Sequence, residues 1–329
     1  MRVAILHNVP LTAGAPGWES SRDVLVQVAA IEEALTRLGH EGLRLPFDGR
    51  PAAVLAAMTA AAPALICNLC ETVNEDPLLA GHPAALLDLT GIPYTGSGPQ
   101  ALMLSTDKAA AKRLLRGAGI PSADFFLHER PDAPLPVDFP LPCIAKPQYQ
   151  DASIGIDQDS VVCDRATLAD RLARLGRLHG PLLVEEFLPG REFNVSLLGS
   201  PAPRVLPPAE IDFSAFPAGL VPLVGYEAKW QESSPQYRGT VRTFPRLSTA
   251  LRDEIAEVAL ACWRVFGLRD YARVDLRLDA TGRVRVLEVN ANPCLSSDAG
   301  FAAASAQAGL AYHELVAELL ACAMRRGAA

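Results

Sequence analysis

The sequence contains no apolar run of membrane-spanning length and no stripe of basic residues. A transmembrane helix needs about 20 consecutive apolar residues. The N-terminus offers one arginine and then only the short apolar run at residues 3–6, which is also too short for the core of a signal peptide. A formal net charge of -7 and a pI near 5.4 argue against a nucleic-acid surface. We therefore expect a cytoplasmic protein that binds neither membranes nor nucleic acid.

The seven cysteines follow neither a disulfide pattern nor a zinc pattern. An odd number at irregular spacing, in a chain without an export signal, is typical of reduced thiols. Cys67 and Cys70 form one C-x-x-C pair, but no second pair and no histidine cluster completes a zinc site. The apolar residues around the pair are typical of a buried strand, so we expect both thiols to be structural.

The chain of 329 residues, half of them hydrophobic, is long enough for two or three lobes, and it shows no internal repeat. Short apolar strands alternate with helical patterns, which predicts an α/β protein with a doubly wound N-terminal lobe. We place the lobes at residues 1–98, 99–184 and 185–329.

The segment 271–297 is the most informative part of the chain, because apolar and ionic residues alternate there as in a two-stranded hairpin. With residues 279–282 as its loop, Arg273 lies opposite Glu288 and Asp275 lies one diagonal step away. A loop of five residues would break this register. The predicted core residues of the hairpin are Val274, Leu276, Leu287 and Val289.

The ionic face of this hairpin collects oxygen ligands. Asp275, Glu288 and Asn290 would stand together there, beside Arg273. An exposed cross-strand salt bridge is the alternative, and such pairs contribute little, but it leaves Asn290 and the following Pro293 without a role. Two carboxylates and an amide oxygen suit Mg²⁺ (or Mn²⁺) and leave room for waters and phosphates, so we predict a metal site.

Arg273-Val-Asp275, followed by Leu287-Glu-Val-Asn-Ala-Asn-Pro293, resembles the metal-binding end of the ATP-grasp enzymes, and of the D-alanine:D-alanine ligases in particular. Five further family-like segments occur in the family's order, at residues 91–98, 106–108, 145–147, 184–192 and 226–230. The resemblance implies the ATP-grasp fold, with ATP held between the central and C-terminal lobes. It also allows a homodimer.

The resemblance implies that lysines bind the phosphates of ATP and that a strand end binds its nucleoside. Lys108 and Lys146 would reach the phosphates or the adenine edge. Glu185 and the backbone of residues 186–188 would meet the adenine, and Glu192 would take the ribose hydroxyls. A solvated strand end is the alternative for this acidic stretch. The expected cofactor-binding residues are Lys108, Lys146, Ser153, Glu185, Glu186, Phe187, Leu188 and Glu192.

Two loops are expected to cover the phosphates. Residues 148–155 stand at the place of the family's glycine-rich loop, but they include a single glycine, which leaves fewer strain-free conformations for close approach to phosphate. Residues 231–239 contain Pro235 and Gly239 and are expected to be a flexible loop. Lys229 before them would touch the terminal phosphate, although a lone lysine in a loop is usually solvated.

The reaction implied by the resemblance is carboxylate activation. A substrate carboxylate attacks the γ-phosphate, and an amine then displaces phosphate from the acyl phosphate. Arg273 and the backbone N–H of Cys294 are candidates to stabilise the tetrahedral oxyanion. A structural counter-ion is the alternative for Arg273. Cys294 as a nucleophile is also conceivable, but no base accompanies it.

The substrate pocket departs from the family. Ala152, Trp230 and Ala299 occupy the positions of a serine, a tyrosine and a second serine that contact the amino acids in D-alanine:D-alanine ligases. A family glutamate falls near Arg22, and the sequence does not choose between Glu19 and Asp23 as its replacement. The neighbouring serines could restore hydroxyls, and Trp230 could stack on a larger or flatter substrate.

The acidic loop at residues 71–76 is a further candidate for the substrate site. Acidic loops are most often solvated, but Glu71 would hold a substrate ammonium group if the loop faces the cleft. The expected substrate residues are Glu19, Asp23, Glu71, Trp230, Cys294, Ser296 and Ser297.

Together these features predict an ATP-dependent carboxylate–amine ligase acting on an amino acid or a similar small molecule other than D-alanine. Three alternatives stay open: an ATP-binding regulator without turnover, a D-alanine:D-alanine ligase with a rebuilt pocket, and a kinase acting on a hydroxyl group. The retained lysines and the three candidate metal ligands favour the enzyme.

Overall fold

The computed structural model describes residues 1–15, 17–130 and 132–327. Its N-terminal part is a three-stranded parallel sheet with the strand order β2-β1-β3. The elements are β1 (Arg2–Asn8), α1 (Trp18–Ser21), α2 (Asp23–Arg37), β2 (Glu41–Phe47), α3 (Pro51–Ala61), β3 (Leu65–Asn68), a 3₁₀ turn (Pro77–Leu79) and α4 (His82–Thr90).

Strand β1 is buried on both faces, which explains its continuous apolar run. Val3 and Ile5 belong to the same apolar cluster as residues of α2, whereas Ala4 and Leu6 pack with residues of α3 and α4. Helices therefore cover both faces of the sheet, as predicted for a doubly wound lobe. Cys67 lies on β3 and Cys70 follows it; both are buried and free, consistent with a structural role.

The central part is a four-stranded antiparallel sheet with the order β4-β7-β5-β6. Helix α7 packs against it through its leucines. The elements are α5 (Pro99–Thr106), α6 (Lys108–Gly117), β4 (Phe125–His128), β5 (Cys143–Pro147), a 3₁₀ turn (Gln158–Ser160), β6 (Val161–Val162), α7 (Arg165–His179) and β7 (Leu182–Glu186). The boundary predicted at residue 184 falls inside β7, and the lobe limits stay a prediction.

The C-terminal part is a six-stranded sheet with the order β11-β10-β8-β12-β13, and β9 pairs with β8. The elements are β8 (Glu192–Gly199), β9 (Arg204–Val205), β10 (Ala209–Asp212), α8 (Tyr226–Trp230), α9 (Pro235–Gly239), β11 (Val241–Thr243), α10 (Thr249–Phe266), β12 (Asp270–Leu278), β13 (Val284–Asn290), α11 (Gly300–Gln307) and α12 (Tyr312–Gly327). Helix α12 returns to pack on α2. In the described ranges, no helix has both the length and the apolar character of a membrane span.

The hairpin β12–β13 differs from the predicted register. Its connection has five residues, 279–283, and Asp275 pairs with Glu288, whereas Leu276 pairs with Val286. The predicted pairing of Arg273 with Glu288 is therefore wrong. Leu287 is an extra residue in β13, a β-bulge, and it is only half-buried because Val286 takes the core position. The longer loop and the bulge compensate each other, so Glu288 still faces the same side as Asp275.

Candidate functional site

Three strands of the C-terminal sheet surround the carboxylate of Asp275. Arg273 donates to it from Nε at 2.7 Å and from Nη2 at 2.8 Å. Asn194 on β8 donates from 2.8 Å and Asn290 on β13 from 3.0 Å. A carboxylate accepts about four hydrogen bonds, so the acceptor capacity of Asp275 is filled. Asn194 was missed in the sequence, although it alternates with Glu192 on the same face of β8.

Glu288 lies opposite Asp275 and is the more open carboxylate. Its Oε1 is 3.5 Å from Nζ of Lys108. Burial alone would raise the pKa of Glu288, but Lys108 and Lys146 lower it to about 2. Burial alone would likewise lower the pKa of Lys108, and the carboxylates of Asp151 and Glu288 raise it instead. Both groups are therefore charged at neutral pH.

The oxygen donors on this face fit a hard cation. Glu288 is ionised, and Asn290 uses its amide nitrogen on Asp275, which leaves its amide oxygen without a donor among the described residues. Within the described ranges no three His, Cys, Asp or Glu side chains form a metal cluster, so the amide oxygen is needed as a third ligand. Mg²⁺ accepts such a set because it keeps several waters.

A second buried ionic group lies behind the first. The carboxylate of Glu185 lies between two lysines, with Lys112 Nζ at 2.6 Å and Lys146 on its other oxygen. Lys112 also donates to the carbonyl of Val286 at 2.8 Å. Although burial acts to raise it, the pKa of Glu185 is lowered by these lysines. Glu185 thus holds Lys146 in place, and its expected contact with the adenine stays a prediction. Lys112 was missed in the sequence, although it stands four residues after Lys108, a spacing that places both lysines on one face of a helix.

The strand end that follows Glu185 retains one buried donor. The N–H groups of Glu186 and Phe187 donate to the carbonyls of Asp124 and Pro142. Leu188 is buried, and its N–H has no acceptor among the residues that the structure describes. A buried N–H without a partner costs free energy, so this position suits an acceptor atom of a bound molecule.

The glycine-poor loop at residues 148–155 is folded over this site. Ala152 and Ser153 have φ of 55° and 61°, a left-handed conformation that costs roughly 1–2 kcal/mol for a residue other than glycine. Asp151 Oδ1 accepts from Lys108 Nζ at 2.6 Å. The hydroxyl of Ser153 donates to the carbonyl of Val224 at 2.8 Å, so it contacts the neighbouring loop.

The segment around α8 holds the loop at residues 148–155 in place. Trp230 donates from Nε1 to the carbonyl of Ala152 at 2.8 Å, and Tyr226 donates from its hydroxyl to Glu19 at 3.4 Å. These bonds join three segments of the chain: the loop at residues 148–155, α8 and α1. The predicted flexible loop is partly helical, because Ser234 caps α9 and Pro235 begins it. Lys229 is exposed, with its Nζ 5.4 Å from the Trp230 ring centroid.

Four of the predicted substrate residues, Asp23, Glu71, Cys294 and Ser296, gather around Gln27, which the sequence did not indicate. Its amide nitrogen donates to Glu71 at 3.0 Å and to Asp23 at 3.3 Å, and its oxygen accepts from the N–H of Leu295. Cys294 donates from Sγ to Asp23 at 3.2 Å and lies 3.1 Å from the hydroxyl of buried Ser296.

Two of the substrate candidates, Cys294 and Ser297, show no sign of a direct chemical role. Burial raises the pKa of the Cys294 thiol to about 12, so it is not a thiolate at neutral pH, which disfavours the nucleophile alternative. Ser297 is exposed, and its hydroxyl forms no hydrogen bond with the described part of the chain. Asp23 contacts Cys294, whereas Glu19, within the described ranges, has a side-chain hydrogen bond with Tyr226 alone.

Glu71 has the most strongly perturbed carboxyl on this side of the cleft. Desolvation by the surrounding protein raises the pKa of Glu71 to about 7, and the negative charge of Asp23 raises it further. The side chain itself is exposed to water. Lys229 and the hydrogen bond from Gln27 act in the opposite direction. Glu71 is therefore partly protonated at neutral pH.

We expect the KM for an amino-acid substrate to fall as the pH rises from about 6 to about 8, because ionised Glu71 attracts an ammonium group. Glu71→Gln should remove this pH dependence and raise that KM about tenfold at the higher pH, with the KM for ATP unchanged. Steady-state kinetics across the pH range test this, with Glu33→Gln, an exposed glutamate on α2, as the control. An unaltered pH profile in Glu71→Gln would remove Glu71 from the site.

Comparison with known proteins shows the family to which the chain is related. Residues 114–321 match the family described as D-ala D-ala ligase C-terminus. The chain is 32% identical over 344 residues to an uncharacterized protein of Sinorhizobium fredii, covering 99% of this chain and 98% of that protein. It is 30% identical over 332 residues to a D-alanine--D-alanine ligase of Synechococcus sp., covering 98% and 95%.

Solved structures extend the similarity to the fold. The D-alanine--D-alanine ligase of Bacillus anthracis, solved in complex with ATP, superposes with a TM-score of 0.79 at 18% identity and covers 100% of this chain and 99% of that one. The predicted α/β ATP-grasp fold is thereby confirmed. With a family match over most of the chain and relatives that span its whole length, the protein belongs to the D-alanine–D-alanine ligase family of ATP-dependent, C–N bond-forming ligases.

Proposed function

We propose that the protein is an ATP- and Mg²⁺-dependent ligase that joins a small-molecule carboxylate to an amine through an acyl phosphate. One observation carries this proposal: buried lysines lie next to the open carboxylate of Glu288, beneath the loop at residues 148–155 and the segment around α8. Lys108 and Lys146 present charge toward one space, and Glu288 stands beside them. A polyanion with a divalent cation complements such a set.

The parts of ATP are assigned to groups with matching chemistry. Lys108 and Lys146 would bind the phosphates, and the free N–H of Leu188 would bind the base. Glu288, Asn290 and Asp275 would hold Mg²⁺, which neutralises phosphate charge when bound. Because four hydrogen bonds already fill the acceptor capacity of Asp275, Glu288 and Asn290 would be the first ligands of the metal.

The loops would protect the reaction from water. Two contacts hold the loop at residues 148–155 over the site. They are the hydrogen bond from Trp230 to Ala152 and the ion pair of Lys108 with Asp151. An acyl phosphate hydrolyses readily, so excluding water favours attack by the amine. Lys229 would approach the terminal phosphate, and Arg273 would stabilise the tetrahedral oxyanion.

The substrate is proposed to be an amino acid or a similar molecule other than D-alanine. Glu71 and Asp23 would hold its ammonium group. Ala152 and Ala299 lack hydroxyls, and the Nε1–H of Trp230 already donates to the carbonyl of Ala152. A hydrogen bond to a charged group contributes roughly 1.5–3 kcal/mol, so several lost contacts cost several decades in specificity. The cytoplasmic location and a homodimer stay predictions.

With ATP, Mg²⁺ and D-alanine, we expect a specificity constant far below about 10⁴ M⁻¹s⁻¹, the low end of the usual enzyme range. D-alanyl-D-alanine is measured directly, and an authentic D-alanine:D-alanine ligase assayed in parallel is the positive control. Efficient formation of this dipeptide would contradict the proposed pocket.

A screen of amino acids and other carboxylates for phosphate release then tests the reaction itself. Release coupled to an amide product supports the ligase. ATP binding without turnover on any pair would support the regulator instead, and a stable phosphorylated product would support the kinase.

A further inference from the structure

Arg277 is a buried cation on the site face of β12, and none of the steps described above uses it. It follows Arg273 and Asp275 in the period-2 alternation of the strand, and it pairs with Glu192 of β8 across the sheet. Its side chain is only 5% exposed. Arginine is rarely this buried unless it is paired.

Each nitrogen of the guanidinium has a partner. Nε donates to the carbonyl of Gly190 at 3.0 Å, Nη2 to the carbonyl of Pro222 at 2.7 Å, and Nη1 to Glu192 at 3.3 Å. The guanidinium carbon is 4.9 Å from the ring centroid of Phe187. A well-packed apolar residue is often as stable as a buried ion pair, so the fold alone does not call for an arginine here.

The partners of Arg277 are the segments assigned above to the nucleoside. Phe187 belongs to the strand end that offers the Leu188 N–H, and Glu192 is the carboxylate expected at the ribose hydroxyls. Pro222 lies in the loop that leads into α8, and the hydrogen bond from Arg277 holds that loop against β12. The lysines that face the phosphates are not among its contacts.

We propose that Arg277 is a specificity-determining residue for the nucleoside part of ATP: it holds Glu192 in position to accept hydrogen bonds from the ribose hydroxyls and forms a flat cationic wall beside the base. This inference rests on the nucleotide placement proposed above. It selects nucleoside triphosphates with intact 2′- and 3′-hydroxyls. A guanidinium suits this role because it is planar, permanently charged and able to stack on rings.

Calorimetry with three ligands, each with Mg²⁺, separates this role from a structural one. The ligands are ATP, 2′,3′-dideoxy-ATP and inorganic tripolyphosphate, and no acceptor substrate is needed. We expect the wild-type protein to bind ATP about 10- to 100-fold more tightly than the dideoxy analogue, the range of one charged hydrogen bond. In Arg277→Met the two nucleotides should bind equally, with tripolyphosphate affinity changed less than about twofold.

Equal weakening of all three ligands would assign Arg277 a structural role and overturn the proposal, as would an unchanged preference for ATP in Arg277→Met. Arg264→Met, which removes an exposed arginine at the end of α10, controls for net charge. If Arg277→Met unfolds, Arg277→Lys keeps the charge without the planar fork and should lose most of the preference. The proposed ligase activity is tested separately by the substrate screen. Failure of that screen would not change the affinity ratio of ATP to 2′,3′-dideoxy-ATP.

Discussion

Glu288→Gln is expected to lower Mg²⁺-dependent turnover about a thousandfold or more while the protein stays folded. A bound metal contributes several kcal/mol to such transition states, and each 1.4 kcal/mol is about tenfold in rate. The carboxylate of Glu288 is ionised and faces the lysines from the solvent side of β13. Turnover is measured as amide product and phosphate release, and the fold by thermal unfolding.

The matched control is Glu257→Gln, an exposed glutamate on α10, which should keep full activity. Asp275→Asn should be as inactive but less stable, because it disturbs a carboxylate that accepts four hydrogen bonds. Near-normal activity in the double variant of Glu288 and Asp275 would refute the metal assignment.

Arg273→Met is expected to reduce turnover by about two to three decades, the cost of one oxyanion donor. The dissociation constant for ATP should change less than about threefold, since Arg273 bonds to Asp275 and to neither Lys108 nor Lys146. The structure adds a second cause, because Arg273 holds Asp275 through two hydrogen bonds. Stopped-flow turnover and calorimetry with ATP give the two quantities separately.

Arg273→Lys sharpens this experiment because it keeps the charge and loses the paired hydrogen bonds. We expect it to recover only part of the activity. Arg252→Met, an exposed arginine on α10, is the control for net charge. A collapse of ATP binding in Arg273→Met would make Arg273 a structural or nucleotide-binding residue.

Local patterns predicted the fold class because they depend on neighbouring residues alone. The unbroken apolar run of β1 and the helical spacing of α2 predicted a doubly wound lobe, and both faces of that sheet are indeed covered. Alternation on β12 likewise placed Arg273 and Asp275 on one face. The hairpin register failed because one bulge residue, Leu287, is not distinguishable in composition from its neighbours.

The candidate site was only partly predictable for a similar reason. The sequence indicated Glu71, yet its partner Gln27 lies 44 residues away, on a helix whose apolar pattern suggested packing alone. Lys112 and Asn194 were missed because each acts through a residue distant in the chain, Glu185 and Asp275 respectively. Trp230 was named as a residue that could stack on substrate, which stays a prediction, and the structure adds that its Nε1 donates to the carbonyl of Ala152.

By itself, the sequence determined the alternation of polar and apolar residues on β12 and the resemblance to one ligase family. The lysines at the phosphates and the loss of three hydroxyl groups in the pocket were predicted from that resemblance. Only the tertiary structure decided which donors fill Asp275, how the strained loop is held, and that Arg277 binds Glu192. The physical reason is that a hydrogen bond depends on distance to within a few tenths of an ångström. Residues 81 and 85 apart in the sequence, Asn194 and Asp275 or Glu192 and Arg277, reach such distances only when β8 and β12 pair in the folded sheet.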